Sequence, residues 1–143
     1  MARKSAAKTK PRAAEPAARE PKGELAIRTL AMPADTNQHG DIFGGWVMSQ
    51  MDIAGGITAG ARAKGRVATV AVTGFTFHRP VLVGDVVCCY ADIRRVGTTS
   101  ITIHIEAWVT RRREPQARFK VTEGAFTFVA IDDEGRKRKV PPA

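Results

Sequence analysis

At 143 residues, 43% of them hydrophobic, the chain is long enough to bury one core and too short for two ordinary ones. Its formal net charge of +9 raises nucleic acid as a partner, but seven Lys/Arg against two Glu lie in 1–22 and four basic against two acidic residues in 133–143, leaving only +2 between them. No interleaved aromatics or binding motif accompany the charge, and no run of about 20 apolar residues occurs, so neither a specific nucleic-acid site nor a membrane span is expected.

Residues 1–22 are mostly Ala, Pro, Lys and Arg with almost no large apolar side chain. Such a segment cannot bury enough surface to offset the entropy of ordering, and it reads as a disordered basic tail. The domain is placed at 23–132 and a second basic tail at 133–143. Leu25 and Ile27 alternate in 24–32 (ELAIRTLAM), a first strand that Pro33 ends. The loop 34–43 is dense in Asp, Thr, Asn, His and Gly, turn and cap formers that place the helix start near Gly44.

From there Val47, Met51, Ala54, Thr58 and Ala61 form one helical stripe, and Trp46, Gln50, Ile53 and Ile57 another. Apolar residues on most of the circumference predict a buried helix. Gly55, Gly56 and Gly60 lie inside it, each costing roughly 0.5–1 kcal/mol relative to Ala. Close approach of another backbone is the expected compensation. Asp52 is the anomaly, because a carboxylate there must reach solvent, a partner or a cleft. Lys64 and then Gly65 are expected to close the helix.

Beyond Arg66 the period changes from 3.6 to 2. Strands are predicted over 66–77, 85–96, 100–110 and 119–131, with a His78-Arg79-Pro80 break and turns at 96–99 and 111–116. One early helix followed by long antiparallel strands is an α+β arrangement. The single helix must fill the concave face of the sheet, leaving apolar patches and strand edges that favour a homo-oligomer. Cys88 and Cys89 are adjacent in an apolar run. They form no metal spacing or disulfide framework and read as core or interface residues in a reducing compartment. With no secretory or lipidation signal, a cytoplasmic protein is expected.

This order of elements is that of the hotdog fold, one helix wrapped by a five- to six-stranded antiparallel sheet. Four runs narrow the match: 32–52 (MPADTNQHGDIFGGWVMSQMD), 77–80 (FHRP), 83–90 (VGDVVCCY) and 96–100 (VGTTS). Together they closely resemble the YciA-type acyl-CoA thioesterases, over roughly 25–141. The resemblance implies hydrolysis of acyl-coenzyme A to free acid and CoA, an active site at a homodimer interface, and dimers assembled as a trimer into a hexamer. Coenzyme A is then part of substrate and product, and no other cofactor is expected. By the same resemblance Phe77, His78, Arg79, Pro80 and the turn Gly97, Thr98, Thr99, Ser100 line the CoA path, with Arg79 the best single cation for its phosphates. Arg66 and the run 136–139 are further candidates. Asn37 resembles a residue that positions water or substrate.

Thioester hydrolysis needs a nucleophile or base and donors for the developing oxyanion. No G-x-S-x-G elbow is present, which leaves carboxylate chemistry. Asp52 lies seven residues after Gly45, about 10 Å along the same face. Two such helices side by side and antiparallel bring each Asp52 toward the other's Gly44-Gly45 start, whose free N–H groups suit a thioester oxygen. Asp52 is therefore expected to act as general base or nucleophile, with Gly44 and Gly45 as the oxyanion site. The alternative for Asp52 is a buried carboxylate satisfied by backbone donors.

Asp41 is either a helix cap or a direct participant in catalysis, and Asp35 an Asx-turn residue. His39 reads as a surface loop residue and His104 as a strand-face residue. Neither His78 nor His104 has a metal partner at useful spacing, so no metal is expected. Trp108 and Phe75 read as packing residues. Two other functions fit parts of the pattern. One is a non-catalytic acyl-CoA sensor using the basic tail on DNA, against which stands the lack of a helix-turn-helix. The other is a hotdog dehydratase of 3-hydroxyacyl thioesters, against which stands the lack of a helical His.

Overall fold

The computed structural model describes residues 20–143, without the side chains of 114–116. The tail expected over 1–22 lies outside the described residues as far as Arg19. Five strands and one long helix follow in the order β1 (Glu24–Leu30), α1 (Gly44–Ala63), β2 (Val67–Phe77), β3 (Val86–Val96), β4 (Ser100–Arg111) and β5 (Glu114–Ala130). A single turn of 3-10 helix, Pro33–Asp35, precedes α1. The sheet is antiparallel with order β1-β3-β4-β5-β2, so β1 and β2 are its edges. This is the expected hotdog architecture, with the strand number settled at five.

β5 begins at Glu114, earlier than Phe119, because β4 and β5 continue pairing to Arg111↔Glu114 across a connection of only Arg112 and Arg113. The alternation of β4 sends Ile101, Ile103 and Ile105 to the helix side, where they join Phe126 and Phe128 of β5 in one buried core.

The helix lies across the sheet and touches all five strands. Val47, Met51, Ala54, Gly55, Ala59 and Ala63 are buried. Thr58 and Ala61 turn away, since the 3.6-residue period rotates the buried stripe onto Ala59 and Ala63. The other flank stays open in the single chain, with Ile53 and Ile57 51% and 52% exposed. What Gly55 accommodates is side chains, not the backbone that was expected. A Cβ there would stand 2.6 Å from both Ile105 Cδ1 and Phe128 Cζ. Gly45 and Gly56 meet nothing within 4 Å.

The helix ends on Lys64, which takes the left-handed conformation (φ 54°) expected of a glycine. Gly65 follows it, beside the guanidinium of Arg138, whose Nη2 would stand 2.6 Å from a Cβ at that position. Residues 133–143, read from sequence as a second tail, lie back on the domain. Arg138 N donates to Ala130 O, Val140 N to Thr98 O, and Arg62 Nη1 to Pro141 O.

β2 is the sheet edge beside the Asp52 side of the helix. Val70 and Val72 are 58% and 37% exposed along it, and Gly74 (φ 72°) sits in a register shift between Thr73 and Thr76. No helix among the described residues is long and apolar enough to cross a membrane.

Candidate active site

The loop before α1 closes on Asn37. Its backbone N–H donates to Asp41 O at 2.8 Å, and its Oδ1 accepts from His39 N (2.8 Å) and Asp41 N (3.1 Å). With Oδ1 committed to the loop, the Asn37 amide nitrogen is the group left to donate elsewhere. Asp35 reaches back through Oδ2 to Met32 N at 3.0 Å. His39 is exposed, as its loop position suggested.

Phe43 occupies the N-cap in an extended conformation with no side-chain cap. Capping by Asp41 therefore does not occur, because it precedes the N-cap by two residues and its side chain stays exposed. Phe43 O accepts from Trp46 N and Val47 N, while the N–H groups of Gly44 and Gly45 have no acceptor among the described residues. Two donors at the positive end of a helix are thus open to an anionic oxygen.

Gly44 borders a groove of about 350 Å³ lined also by Ile42, Val47 and the whole run Phe77 to Val81. Phe77 lies so close that a Cβ on Gly44 would be 3.3 Å from its ring. The structure thereby joins two runs far apart in sequence. His78 N donates to Val121 O at 2.7 Å, and Arg111 Nη2 to Pro80 O at 3.0 Å, which fixes the segment between them. Arg111 is itself held by buried Asp85, with Nε 3.1 Å from Oδ1. Arg79 stacks on Phe119, its guanidinium carbon 3.7 Å from the ring centre, and stays exposed.

Asp52 sits two turns further along α1, half-buried on the flank facing β2. Its Oδ1 accepts a hydrogen bond from Thr69 Oγ1 at 2.6 Å, and Oδ2 has no partner among the described residues. The partner of Asp52 is a side-chain hydroxyl, and no backbone donor reaches it among the described residues. Thr69 was not singled out from the sequence. One Thr in a β-branched strand carries no signal of its own, and its role depends on strand–helix register.

Arg66 and the Gly97–Ser100 turn lie at the opposite end of the helix. Arg66 donates to Asp132 O and Asp133 O, while Ala130 N bonds to Thr99 O and Val140 N to Thr98 O. Within one chain these residues do not join the groove at Gly44, some 30 Å away along a 20-residue helix. In the 136–139 run, Arg136 pairs with Asp132 and Glu134, and Arg138 is turned inward.

His104 belongs to a separate cluster on the outer face of the sheet, with Glu106, Glu123 and His78. Burial pushes the Glu123 carboxyl up, but Lys120, His104 and His78 outweigh it and hold the group below its ordinary range. Trp108 is buried and Phe75 packs on Phe77 and Phe126, both as packing residues.

Known proteins share this arrangement. Residues 39–116 match the model of the Thioesterase superfamily. The chain is 61% identical over 123 residues to the acyl-CoA thioester hydrolase YciA of Salmonella typhimurium, covering 85% of this chain and 92% of that one. Its structure superposes on that of a hexameric thioesterase from Yersinia pestis with a TM-score of 0.82 at 58% identity, covering 87% and 100% of the two chains. A more distant acyl-CoA hydrolase from Staphylococcus aureus, solved with butyryl-CoA and CoA, gives 0.72 at 30% identity, covering 80% and 70%. The chain thus belongs to the thioesterase superfamily and, within it, to the YciA-type acyl-CoA thioester hydrolases.

Proposed function

We propose that this chain hydrolyses acyl-CoA thioesters to free acid and CoA at a site completed by a second copy, with Asp52 as the reacting carboxylate. The observation that carries the reading is the open flank. Asp52, Thr69, the uncapped Gly44 and Gly45 N–H groups and the apolar β2 edge all face the side that the single chain leaves uncovered. Antiparallel pairing of two helices brings Asp52 of one toward Gly44 and Gly45 of the other. It also brings Arg66 and Gly97–Ser100 of one chain toward the Phe77–Pro80 groove of the next, joining CoA-lining segments that one chain keeps apart. The hexameric relative supports such an assembly, built here as three dimers.

In this reading the thioester oxygen lies on the Gly44 and Gly45 N–H groups, which stabilise the oxyanion as it forms. Asp52 takes a proton from water as the water oxygen bonds to the carbonyl carbon. It returns that proton to the CoA sulfur as the C–S bond breaks. Thr69 holds one carboxylate oxygen, and Asn37 orients water or substrate through its amide nitrogen. Asp41, exposed beside the helix start, has a direct share as a proton-carrying or water-binding group. Arg79 meets the phosphates. No cofactor enters this scheme. The Staphylococcus aureus hydrolase was solved with an asparagine, an aspartate and a threonine each changed to alanine. Their spacings of 15 and 17 residues are those of Asn37, Asp52 and Thr69.

The test is thiol release from acyl-CoAs of short to long chain by wild type, Asp52→Ala and Asp41→Ala. Loss of turnover in Asp52→Ala across the series is expected, and turnover retained by a folded Asp52→Ala sinks the reading. Single turnover in ¹⁸O-water separates a base, which labels only the product acid, from a carboxylate nucleophile, which first gives up an oxygen of Asp52.

A further inference from the structure

His104, Glu106 and Glu123 lie on the opposite side of the sheet from α1, and the hydrolysis uses none of the three. His104 and Glu106 stand two residues apart on β4 and so share a face, and Glu106 is directly paired with Glu123 of β5. His104 Nε2 is 3.0 Å from Glu106 Oε2 and 3.2 Å from Glu123 Oε1, and the ligand atoms of all three residues lie within 4.8 Å of one another. A single N–H directs itself well at one acceptor. Two carboxylate oxygens and one imidazole nitrogen thus converge on one small region.

The remaining carboxylate oxygens are already committed. Glu106 Oε1 accepts from Trp108 Nε1 at 2.8 Å and from Lys22 N at 3.3 Å. Glu123 Oε2 accepts from Lys120 Nζ at 2.7 Å. Each carboxylate is thus anchored through one oxygen and presents the other to the centre, the usual division of labour in an oriented metal ligand. With metal–ligand bonds of about 2.0–2.2 Å, neighbouring ligand atoms of a tetrahedral zinc site stand about 3.3 Å apart. Both contacts of His104 fall close to that edge.

A cavity of about 330 Å³, lined by Thr73, Thr76, His78, His104 and Glu123 among others, opens beside the cluster and gives an ion access. His78 Nε2 lies 3.7 Å from Glu123 Oε2 and faces the same cavity. We propose that His104, Glu106 and Glu123 bind a divalent transition metal of the zinc class, with the fourth position toward His78. Mixed imidazole and carboxylate donors favour zinc over magnesium or calcium, which take oxygen ligands almost exclusively. Spacing along the chain gave no hint of this, because the partners of His104 arrive from its own strand face and from the neighbouring strand.

His78 also lines the groove beside Gly44. The metal therefore pins the Phe77–Pro80 segment against β4 and β5 from behind, as a structural clip with no part in the chemical steps. The proposal stands independently of the hydrolytic reading.

The test is zinc titration of the metal-stripped full chain against a chromogenic chelator, together with thermal unfolding with and without zinc. One zinc per chain and a zinc-dependent rise in Tm are expected. Both should be lost in His104→Gln and in Glu123→Gln, with affinity falling by more than about 100-fold, while His39→Gln and Cys88→Ser bind as wild type. Cobalt in place of zinc should give tetrahedral visible bands in wild type and none in His104→Gln. Absence of zinc binding in wild type, or undiminished binding in both cluster variants, overturns the site and leaves an ion-pair network. Glu123 is the more exposed carboxylate, and its variant keeps the test decisive if His104→Gln does not fold.

Discussion

Thr69 Oγ1 stands 2.6 Å from Asp52 Oδ1, tying the middle of the helix to the free edge strand of the sheet. The bond orients the carboxylate and leaves Oδ2 without a partner among the described residues. Asp52→Asn should keep the fold and lower kcat by about 10²–10⁴, the range for losing a positioned acid or base. Thr69→Ala should lower kcat less, and Thr69→Ser, which keeps the hydroxyl, should restore most of it. Thiol-release kinetics with circular dichroism as the fold check reads all three.

Arg79 leans on Phe119 and remains exposed beside the groove, so its guanidinium is held without an acidic partner among the described residues. Arg79→Ala should raise KM for acyl-CoA about tenfold, as a charge-assisted contact of about 1.5 kcal/mol implies. kcat should change little. The difference from wild type should shrink at high salt, where phosphate–cation attraction is screened.

Gly55 is buried on the sheet-facing side of the helix against Ile105 and Phe128. Gly55→Ala places a methyl group 2.6 Å from Ile105 and Phe128. Overpacking costs about 1–3 kcal/mol and the gain in helix propensity recovers at most about 1. A lower urea midpoint with unchanged m is expected. A raised midpoint would mean that the core rings yield freely.

Burial pushes the Cys89 thiol up to about 12, with the charge of adjacent Cys88 adding to it, and burial also raises Cys88. Neither thiol should be alkylated by iodoacetamide at pH 8 in the folded protein, and both should react at once in denaturant. The sign for stability follows from the protonated thiol being the folded form. Its contribution is complete below the ordinary thiol range and is lost as pH climbs from there toward 12, where the folded thiol also ionises. Chemical denaturation between pH 8 and 11 should show the decline, and Cys89→Ala should flatten its part of it.

Local rules were enough for much of this protein. The change of period after Arg66 separated one helix from a run of strands, the turn formers of 34–43 placed the helix start near Gly44, and Asp52 stood out as a lone carboxylate on an apolar helix. Each depends on neighbours within a few residues, where backbone sterics and side-chain period act directly. Lys64, not Gly65, takes the left-handed conformation at the helix end, which marks the limit of such rules.

What the tertiary structure decided is every meeting across strands or elements: Thr69 on Asp52, Phe77 on Gly44, Glu123 beside Glu106 and His104. These pairs are 17 to 33 residues apart or lie on different strands. Their contact depends on register and sheet order, which the burial of the whole core selects and no single stretch of sequence encodes.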